Sequence, residues 1–423
     1  MTWSWPERPR RVVVTGMGAL SALGTDVAST WAGLVEGRSG IGPVTMFDPS
    51  RLGVRIAGEV KGFDASDVLD RREVRRTDRY IQFALVAGRQ ALDEAGLPGR
   101  IEGPLAERSG IIIGSGLGGV STLFDNVLLM GERGPDRISP FFVPMGIANV
   151  GAGQAAIVFG PLGPNFAIVS ACATGGHSIG EAWETIRRGD VDLMLAGGVE
   201  AAIHEATLGG FAAMRALSTR NDDPEAASRP FDRGRDGFVI GEGAGVLVLE
   251  ALEHAEARGA TPLAELVGYG ATADASHITL PAPGGIGAVR AARRALDKAG
   301  LRPDEIDHVN AHATSTPEGD KAEIQAIRTI FGDHAAKVSV TANKSMLGHT
   351  LGAAGAIEAI ATVMALREGI VPPTRNLEDP DDAAAGLDLT PGTATRRPLR
   401  AALSNSFGFG GQNTALAFRR WDG

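Results

Sequence analysis

Short apolar runs, each too brief for a buried helix, alternate along this chain with longer segments of helical period, and they do so in two series. "RVVVTGMG", "RSGIIIGSG", "NFAIVSAC", "VDLMLAGGVEA" and "GFVIGEGAGVLVLE" read as buried strands; "DRYIQFALVAGRQALDEAG" and "GHSIGEAWETIRRGD" read as helices that end near glycine. In the second series "LAELVGYGA", "IDHVNAHAT" and "VSVTANKS" read as strands, "AVRAARRALDKAG" and "GAAGAIEAIATVMALREG" as helices, and "AALSNSFGFGGQNTALAF" closes the chain. Strands without polar alternation, separated by helices, need a parallel sheet covered by those helices. Both series end in a glycine-broken, hairpin-like segment, a sign of duplication with a divide near Arg258–Thr261. The expected fold is therefore α/β in two similar halves, 1–260 and 261–423. "NDDPEAASRPFDRGRDG", polar and rich in turn formers, is expected to be a surface loop.

The 423 residues are enough for two or three domains or one large fold, and 43% of them are hydrophobic, which secures a substantial core. Aromatic residues make up only 5% while glycines number 58, a balance suited to close backbone packing. A net charge of −9 excludes general nucleic-acid binding. No run of about 18 apolar residues occurs, so no transmembrane helix is expected. Arg8, Arg10 and Arg11 before "VVVTGMGALSALG" imitate a signal peptide, but glycines interrupt the apolar region and the valines read as a strand. A single cysteine rules out an intrachain disulfide and fits a reducing compartment, so the chain is expected to be cytoplasmic. Trp3 and Trp5 fall in a short tail expected to form a loose arm.

That cysteine, Cys172, lies in "VSACATGG", between a strand-like run and a helix starting near Gly175. A thiol at a helix N-terminus meets unpaired N–H groups and the positive dipole end, which favour its thiolate. Small neighbours permit the sharp turn of a nucleophile elbow. The competing reading is a small buried hydrophobe. A thiol nucleophile needs proton handling and charge stabilisation nearby. Among eight histidines, His254 and His334 are expected at the surface, and His177 is expected to pack beside Cys172. His312, in "NAHATSTPEGD", and His349, in "NKSMLGHTLGAAGA", each follow a strand-like run in a polar loop, where α/β folds place chemistry. Lys344 precedes His349, and Glu358 follows it within "AGAIEAIA", where an acidic side chain needs a buried partner. The wide spacing of Cys172, His312 and His349 carries no metal-site signature, and no cofactor is implied. "TGMGALS" lacks the third glycine of a dinucleotide fingerprint and "GSGLGG" has its last glycine one place early, so both read as close-packed turns.

Together "VSACATGG", "NAHATSTPEGD", "NKSMLGHTLGAAGAIEA" and "SNSFGFGGQN" resemble, in order, motifs of the condensing enzymes of the thiolase-like fold. More narrowly they are similar to the β-ketoacyl-acyl-carrier-protein synthases of type II, over nearly the whole chain from "VVVTGMG" to "NTALAF". The resemblance implies a thiolase-like fold, two similar halves in a layered α-β-α-β-α arrangement. It also implies a decarboxylative Claisen condensation of malonyl-acyl-carrier protein with an acyl group held on Cys172, in fatty-acid biosynthesis, by a homodimer without cofactor. Carried onto this sequence, His312 and His349 would hold the enolate oxygen, and the backbone N–H groups of Cys172 and Phe409 would hold the thioester oxyanion. Phe409 would act as a gate, Lys344 would orient a histidine or supply positive potential, and Glu358 would anchor that network. Thr314 and Thr316 match the pair that binds the pantetheine arm, and Thr279 joins the substrate-binding set. Leu117, Phe142 and Phe211 match acyl-pocket positions, Phe142 from a neighbouring subunit; core packing is the alternative reading of all three. Ala313 departs from the family's usual glycine after the first histidine. Thiolases carry a second catalytic cysteine, absent here, and initiating synthases have asparagine where this chain has His349. The alternatives are a stand-alone polyketide ketosynthase and a non-catalytic partner subunit, the latter opposed by the intact Cys172, His312 and His349.

The implied partners, acyl- and malonyl-carrier proteins, are acidic as a class, so an acidic chain needs a local basic patch to dock them. "DRREVRRTDRY" offers one. On a single helix Arg71, Arg72, Arg75, Arg76 and Arg79 would span about 140° of arc, opposite Val74, Ile81 and Leu85. With Glu73 and Asp78 close by, an ordinary solvated face is the competing reading. Arg72, Arg75 and Arg76 match carrier-docking positions of the resembled family, as does Arg215 in "AAMRALS".

Overall fold

Ten strands carry the architecture of the computed structural model, which describes residues 9–423; the tail bearing Trp3 and Trp5 lies outside the described residues. Five come early: β1 (Val12–Leu20), β2 (Ser109–Gly114), β3 (Asn165–Phe166), β4 (Leu193–Glu200) and β5 (Gly243–Ala251). Five come late: β6 (Ala264–Ala273), β7 (His308–Asn310), β8 (Ser339–Thr341), β9 (Ala401–Gly408) and β10 (Gln412–Arg420). Their spatial order is β8-β7-β9-β10-β6-β1-β5-β4-β2-β3. Read outward from the centre, both sets give one pattern. The first strand pairs antiparallel with the fifth, the fifth antiparallel with the fourth, and the fourth, second and third run parallel. The sets join where Val12–Val14 of β1 pair with Ala264–Leu266 of β6. Duplication is thus visible in topology, and the sheet is mixed rather than all-parallel.

Helices complete the layers. α1 (Arg71–Val74) leads into α2 (Arg79–Glu94), which with α3 (Val150–Phe159) covers the outer face of the early strands. α6 (Ile286–Ala299) and α7 (Pro317–Phe331) cover the outer face of the late strands. α4 (Thr174–Arg187) and α8 (Ala354–Glu368) lie between the two sets and touch each other, and α5 (Glu205–Ala213) follows β4. α8 is buried on every side up to Leu366, which explains an apolar composition without a polar stripe. The inner pair crosses at its N-termini. A Cβ on Gly175 would come within 2.7 Å of Ala356 N, and one on Gly355 within 2.8 Å of Gly176 N, so "CATGG" and "GAAGA" must be small for the backbones to meet. The result is the α-β-α-β-α arrangement. Among the described residues no helix is long and apolar enough to cross a membrane.

Four local expectations are corrected. "NFAIVSAC" forms a ladder only at Asn165–Phe166, paired on one side with Ile111–Ile112; beyond it the chain turns to build the elbow, and Val169 is exposed. "NDDPEAASRPFDRGRDG" is not simply a surface loop, because Ala227, Ser228, Arg229, Phe231 and Asp232 are buried. Its polar groups are satisfied inside: Arg229 pairs with Asp232, Phe231 N–H donates to Asp320, and Ser228 Oγ donates to the Lys344 carbonyl. His254 is half-buried against Glu250, and His334 is half-buried near the Ile306 carbonyl. Finally, "DRREVRRTDRY" is two helices broken at Thr77. Each has its own aspartate cap, Asp70 and Asp78, and the break turns Arg79 inward to a bidentate pair with Glu242 at 2.7 and 2.9 Å.

Candidate active site

Cys172 sits in a single 3₁₀ turn, Ala171–Ala173, immediately ahead of α4. Ala171 is left-handed at φ 49°, a strained conformation that makes the elbow sharp. The turn is held by Ser170 N–H donating to Thr174 Oγ1 at 2.9 Å and by Ala173 N–H donating to the Ser170 carbonyl at 3.0 Å. His177 packs behind it, its Nδ1 2.8 Å from Ser170 Oγ. Burial pushes the Cys172 thiol up, to about 12, while Lys344 and the N–H groups of Phe409 and Cys172 itself pull the other way. The positive end of α4 acts in the same sense as these donors. The helix terminus is therefore present as expected, but desolvation opposes it.

The late half brings the histidines. His312 follows β7, and its own N–H and that of Ala313 donate to the two oxygens of Glu323 at 2.9 and 2.7 Å. Ala313 is buried with an ordinary negative φ, so the departure from glycine is accommodated. His349 is fixed across the two halves: its N–H donates to Val239 O at 2.7 Å, and Gly241 N–H donates to His349 O at 2.8 Å. The rings meet edge to face at 5.4 Å between centroids.

The hydrogen bonds at Nδ1 fix where each imidazole carries its proton. Lys344 Nζ, which can only donate, lies 3.4 Å from His312 Nδ1. Leu351 N–H donates to His349 Nδ1 at 3.3 Å. Both rings therefore accept at Nδ1 and hold their proton at Nε2, and His349 Nε2 is buried with no partner among the described residues. Burial, reinforced by Lys344, holds both well below the usual histidine range, so both are neutral at neutral pH. Lys344 pairs with Glu358 in an environment where both are 2% exposed. Burial pushes the Glu358 carboxyl up to about 7 against the pull of Lys344.

One cavity of about 440 Å³ gathers Cys172, His312, His349 and Phe409. Leu117, Phe211, Thr279, Thr314, Thr316 and Arg215 also line it. Thr314 and Thr316 have their hydroxyls 3.1 Å apart, on either side of left-handed Ser315. Phe409 lies in the turn between β9 and β10 with its ring 6.5 Å from Phe211. Lys344 and Glu358 stand behind the histidines, outside the lining. Phe142 does not line this cavity; it is half-buried on the short helix Phe142–Gly146. Arg71, Arg72, Arg75 and Arg76 are exposed and line a separate surface recess with Phe141, without Arg79. Arg76 lies 5.0 Å over the Phe141 ring.

Two acidic residues at the site were not singled out from sequence. Glu323 falls, with Asp320 and Ile327, on the buried face of α7, a helical spacing that marks it as inward-facing. Glu200 is the one charge in "LAGGVEAA" and ends a strand that is buried throughout, where a charge must find partners.

A cysteine elbow facing two neutral imidazoles, at the seam of two duplicated α/β halves, defines a condensing enzyme of the thiolase-like class. Residues 9–255 match the model of the beta-ketoacyl synthase N-terminal domain and residues 263–378 that of its C-terminal domain. The chain is 50% identical over 412 residues to a 3-oxoacyl-[acyl-carrier-protein] synthase 2 from Synechocystis, covering 97% of this chain and 98% of that protein. It is 49% identical over 413 residues to the protein of the same name from Staphylococcus aureus, covering 98% and 99%. Among solved structures it superposes with a TM-score of 0.91 on a beta-ketoacyl synthase from Burkholderia phymatum, 38% identical, over 97% of this chain and all of that one. With the ishigamide ketosynthase/chain length factor the TM-score is 0.89 at 37% identity, over 98% of this chain and 100% of that one. The chain belongs to the beta-ketoacyl synthase family.

Proposed function

We propose that this protein is an elongating β-ketoacyl-acyl-carrier-protein synthase of fatty-acid biosynthesis. The observation that carries the reading is Cys172 facing two uncharged imidazoles, each with its proton on Nε2, in one cavity. In the first stage the Cys172 sulfur, on losing its proton, attacks the acyl thioester; the new C–S bond forms, the carrier's C–S bond breaks, and the carrier thiol leaves with a proton. Malonyl-carrier protein then enters along Thr314 and Thr316. Its carboxylate leaves as carbon dioxide, and the electron pair of the broken C–C bond becomes an enolate whose oxygen accepts from His312 and His349 Nε2–H. The enolate carbon attacks the acyl-Cys172 carbonyl. The oxyanion is met by the N–H groups of Cys172 and Phe409, and collapse breaks the C–S bond, returning Cys172. Neutral imidazoles suit this role because an oxyanion needs a donor without a proton transfer.

The remaining assignments belong to the same reading. Lys344 orients His312 as a donor-only partner, Glu358 balances its charge, and Phe409 gates the cavity. Leu117, Phe211 and Thr279 contact substrate, and Arg72, Arg75, Arg76 and Arg215 dock the carrier. The protein works as a homodimer, with Phe142 completing the partner's acyl pocket. Exposed Phe166 and Val169 at the β3 edge, and exposed Phe124, Val127 and Leu128 on the helix Val120–Arg133, support a second copy.

A polyketide ketosynthase is the second reading, favoured by solved relatives named for ketosynthase/chain length factor pairs and a type II polyketide ketosynthase complex, at 37% and 33% identity. Identity near 50% to the synthase 2 proteins favours fatty-acid elongation. The test is to load the protein from acyl-carrier protein, then add malonyl-carrier protein and follow the product. Cys172→Ala is expected to abolish acylation and condensation. Cys172→Gln is expected to abolish acylation but retain decarboxylation, its amide carbonyl standing in for the acyl group. Normal condensation by the alanine variant would refute the nucleophile.

A further inference from the structure

Glu200 is a fully buried carboxylate that the reaction above does not use. It closes β4 and lies in the cavity wall. Each of its oxygens accepts two hydrogen bonds. Oε1 takes Ser115 Oγ–H at 2.8 Å and Leu117 N–H at 3.2 Å. Oε2 takes Gly116 N–H and Gly352 N–H, both at 2.9 Å. Among the described residues no lysine or arginine forms an ion pair with it, so four donors alone replace its water. Burial pushes the Glu200 carboxyl up while these four donors pull it back down. A buried acidic group is costly unless donors satisfy it, and here the donors come from two loops.

What it fixes are two loops from opposite halves. One carries Leu117, which lines the cavity and is read above as a substrate contact. The other follows His349, and there the chain is strained: Leu351 is left-handed at φ 48°. That conformation points Leu351 N–H back to His349 Nδ1 at 3.3 Å, the bond that puts the imidazole proton on Nε2. The next N–H, of Gly352, is the one Glu200 holds. A side chain from the early half thus pins the turn that sets the tautomer of a histidine in the late half.

We propose that Glu200 is a positioning residue that couples the place of Leu117 to the orientation of His349, so that acyl-chain selection and enolate stabilisation share one anchor. The inference rests on the ketosynthase reading and deepens it. Glu200→Gln keeps the shape but turns two acceptor positions into donors facing N–H groups. It is expected to lower malonyl decarboxylation up to about 100-fold per active site, since small misplacements of a reacting group cost that much. KM for malonyl-carrier protein should change little, and the ratio of long-chain to short-chain acyl transfer should shift. Ser115→Ala acts on the Leu117 side alone, where it removes one donor to Glu200 and the acceptor of Gly118 N–H. It is expected to shift that chain-length ratio by about tenfold, the scale of one pocket contact, while decarboxylation per site stays at the wild-type rate. Active sites are counted by mass spectrometry of the Cys172 acyl adduct, so that a smaller folded fraction is not read as slower chemistry. A merely structural Glu200 would lower Tm and the count of sites but leave both per-site quantities unchanged; that result overturns the proposal. If Glu200→Gln does not fold, an unchanged chain-length ratio in Ser115→Ala overturns it. Failure of the wild type to condense would instead refute the ketosynthase reading.

Discussion

Lys344 can donate but never accept, and the usefulness of His312 depends on that asymmetry. With Lys344 Nζ against Nδ1 the ring keeps its proton at Nε2; with no donor there the neutral ring is free to reverse. Lys344→Met therefore has two separable consequences. Glu358 loses the cation it was buried with, a loss that typically costs about 3–5 kcal/mol, and His312 loses its orientation. Adding Glu358→Leu is expected to restore most of the stability in urea titrations but none of the lost decarboxylation. Recovery of decarboxylation in the double variant would show that the lysine acts only through folding. The pH dependence follows. Burial already holds Glu358 at about 7, above its unfolded value, so stability tied to it is full at low pH and is lost as pH rises. Removing Lys344 raises that carboxyl further; below about pH 7 it is protonated in both folded proteins, so the deficit of Lys344→Met should be level there and widen as pH rises above about 7. The cysteine and histidines could be singled out in sequence because small-residue and polar motifs surround them. The Leu351 N–H that orients His349, and Glu323 and Glu200 behind the loops, could not, because a backbone donor has no letter of its own and a buried carboxylate reads like a surface one.

At the scale of elements, the strand and helix periods placed nearly every layer, while the breaks between them were harder to see. Nothing in "DRREVRRTDRY" forbids one helix until Asp70 and Asp78 are recognised as two successive N-caps. The break matters, because it removes Arg79 to Glu242 and leaves Arg71, Arg72, Arg75 and Arg76 around Phe141 as the exposed cationic surface. Arg75→Glu with Arg76→Glu is expected to raise KM for acyl-carrier protein at least about tenfold, while acylation of Cys172 by a small carrier-free thioester barely changes. Raising the salt should carry wild type towards the variant, because exposed charges are screened. Equal losses with both kinds of substrate would make the patch structural. The buried segment around Phe231 misled for the opposite reason: its polar letters look solvent-facing, and their partners, Asp320 and the Lys344 carbonyl, lie far along the chain.

The molecule as a whole repeats itself more closely than its letters do. Ala171 at φ 49° precedes Cys172 and α4; Leu351 at φ 48° precedes Gly352 and α8, each through a 3₁₀ turn. One elbow presents a thiol, while its counterpart presents the N–H that Glu200 binds. Sequence showed only the glycine-broken ends of this repeat, because what is duplicated is dihedral geometry and strand order. The repeat also ends unevenly. β8, at one end, is buried, whereas β3, at the other, has Asn165 and Phe166 exposed and, among the described residues, is paired on one side only. An exposed apolar edge strand invites another chain, and a second copy related by a twofold axis would meet it with the same edge. Phe166→Glu with Val169→Glu would set like charges face to face across that axis. Sedimentation should then find a dimer for the wild type and a monomer for the variant. Because Phe142 lies outside its own chain's cavity, the monomer should lose transfer of long acyl groups before that of short ones. A variant that still sedimented as the dimer would place the interface elsewhere, and Phe142 would have no route to the neighbouring pocket through this edge.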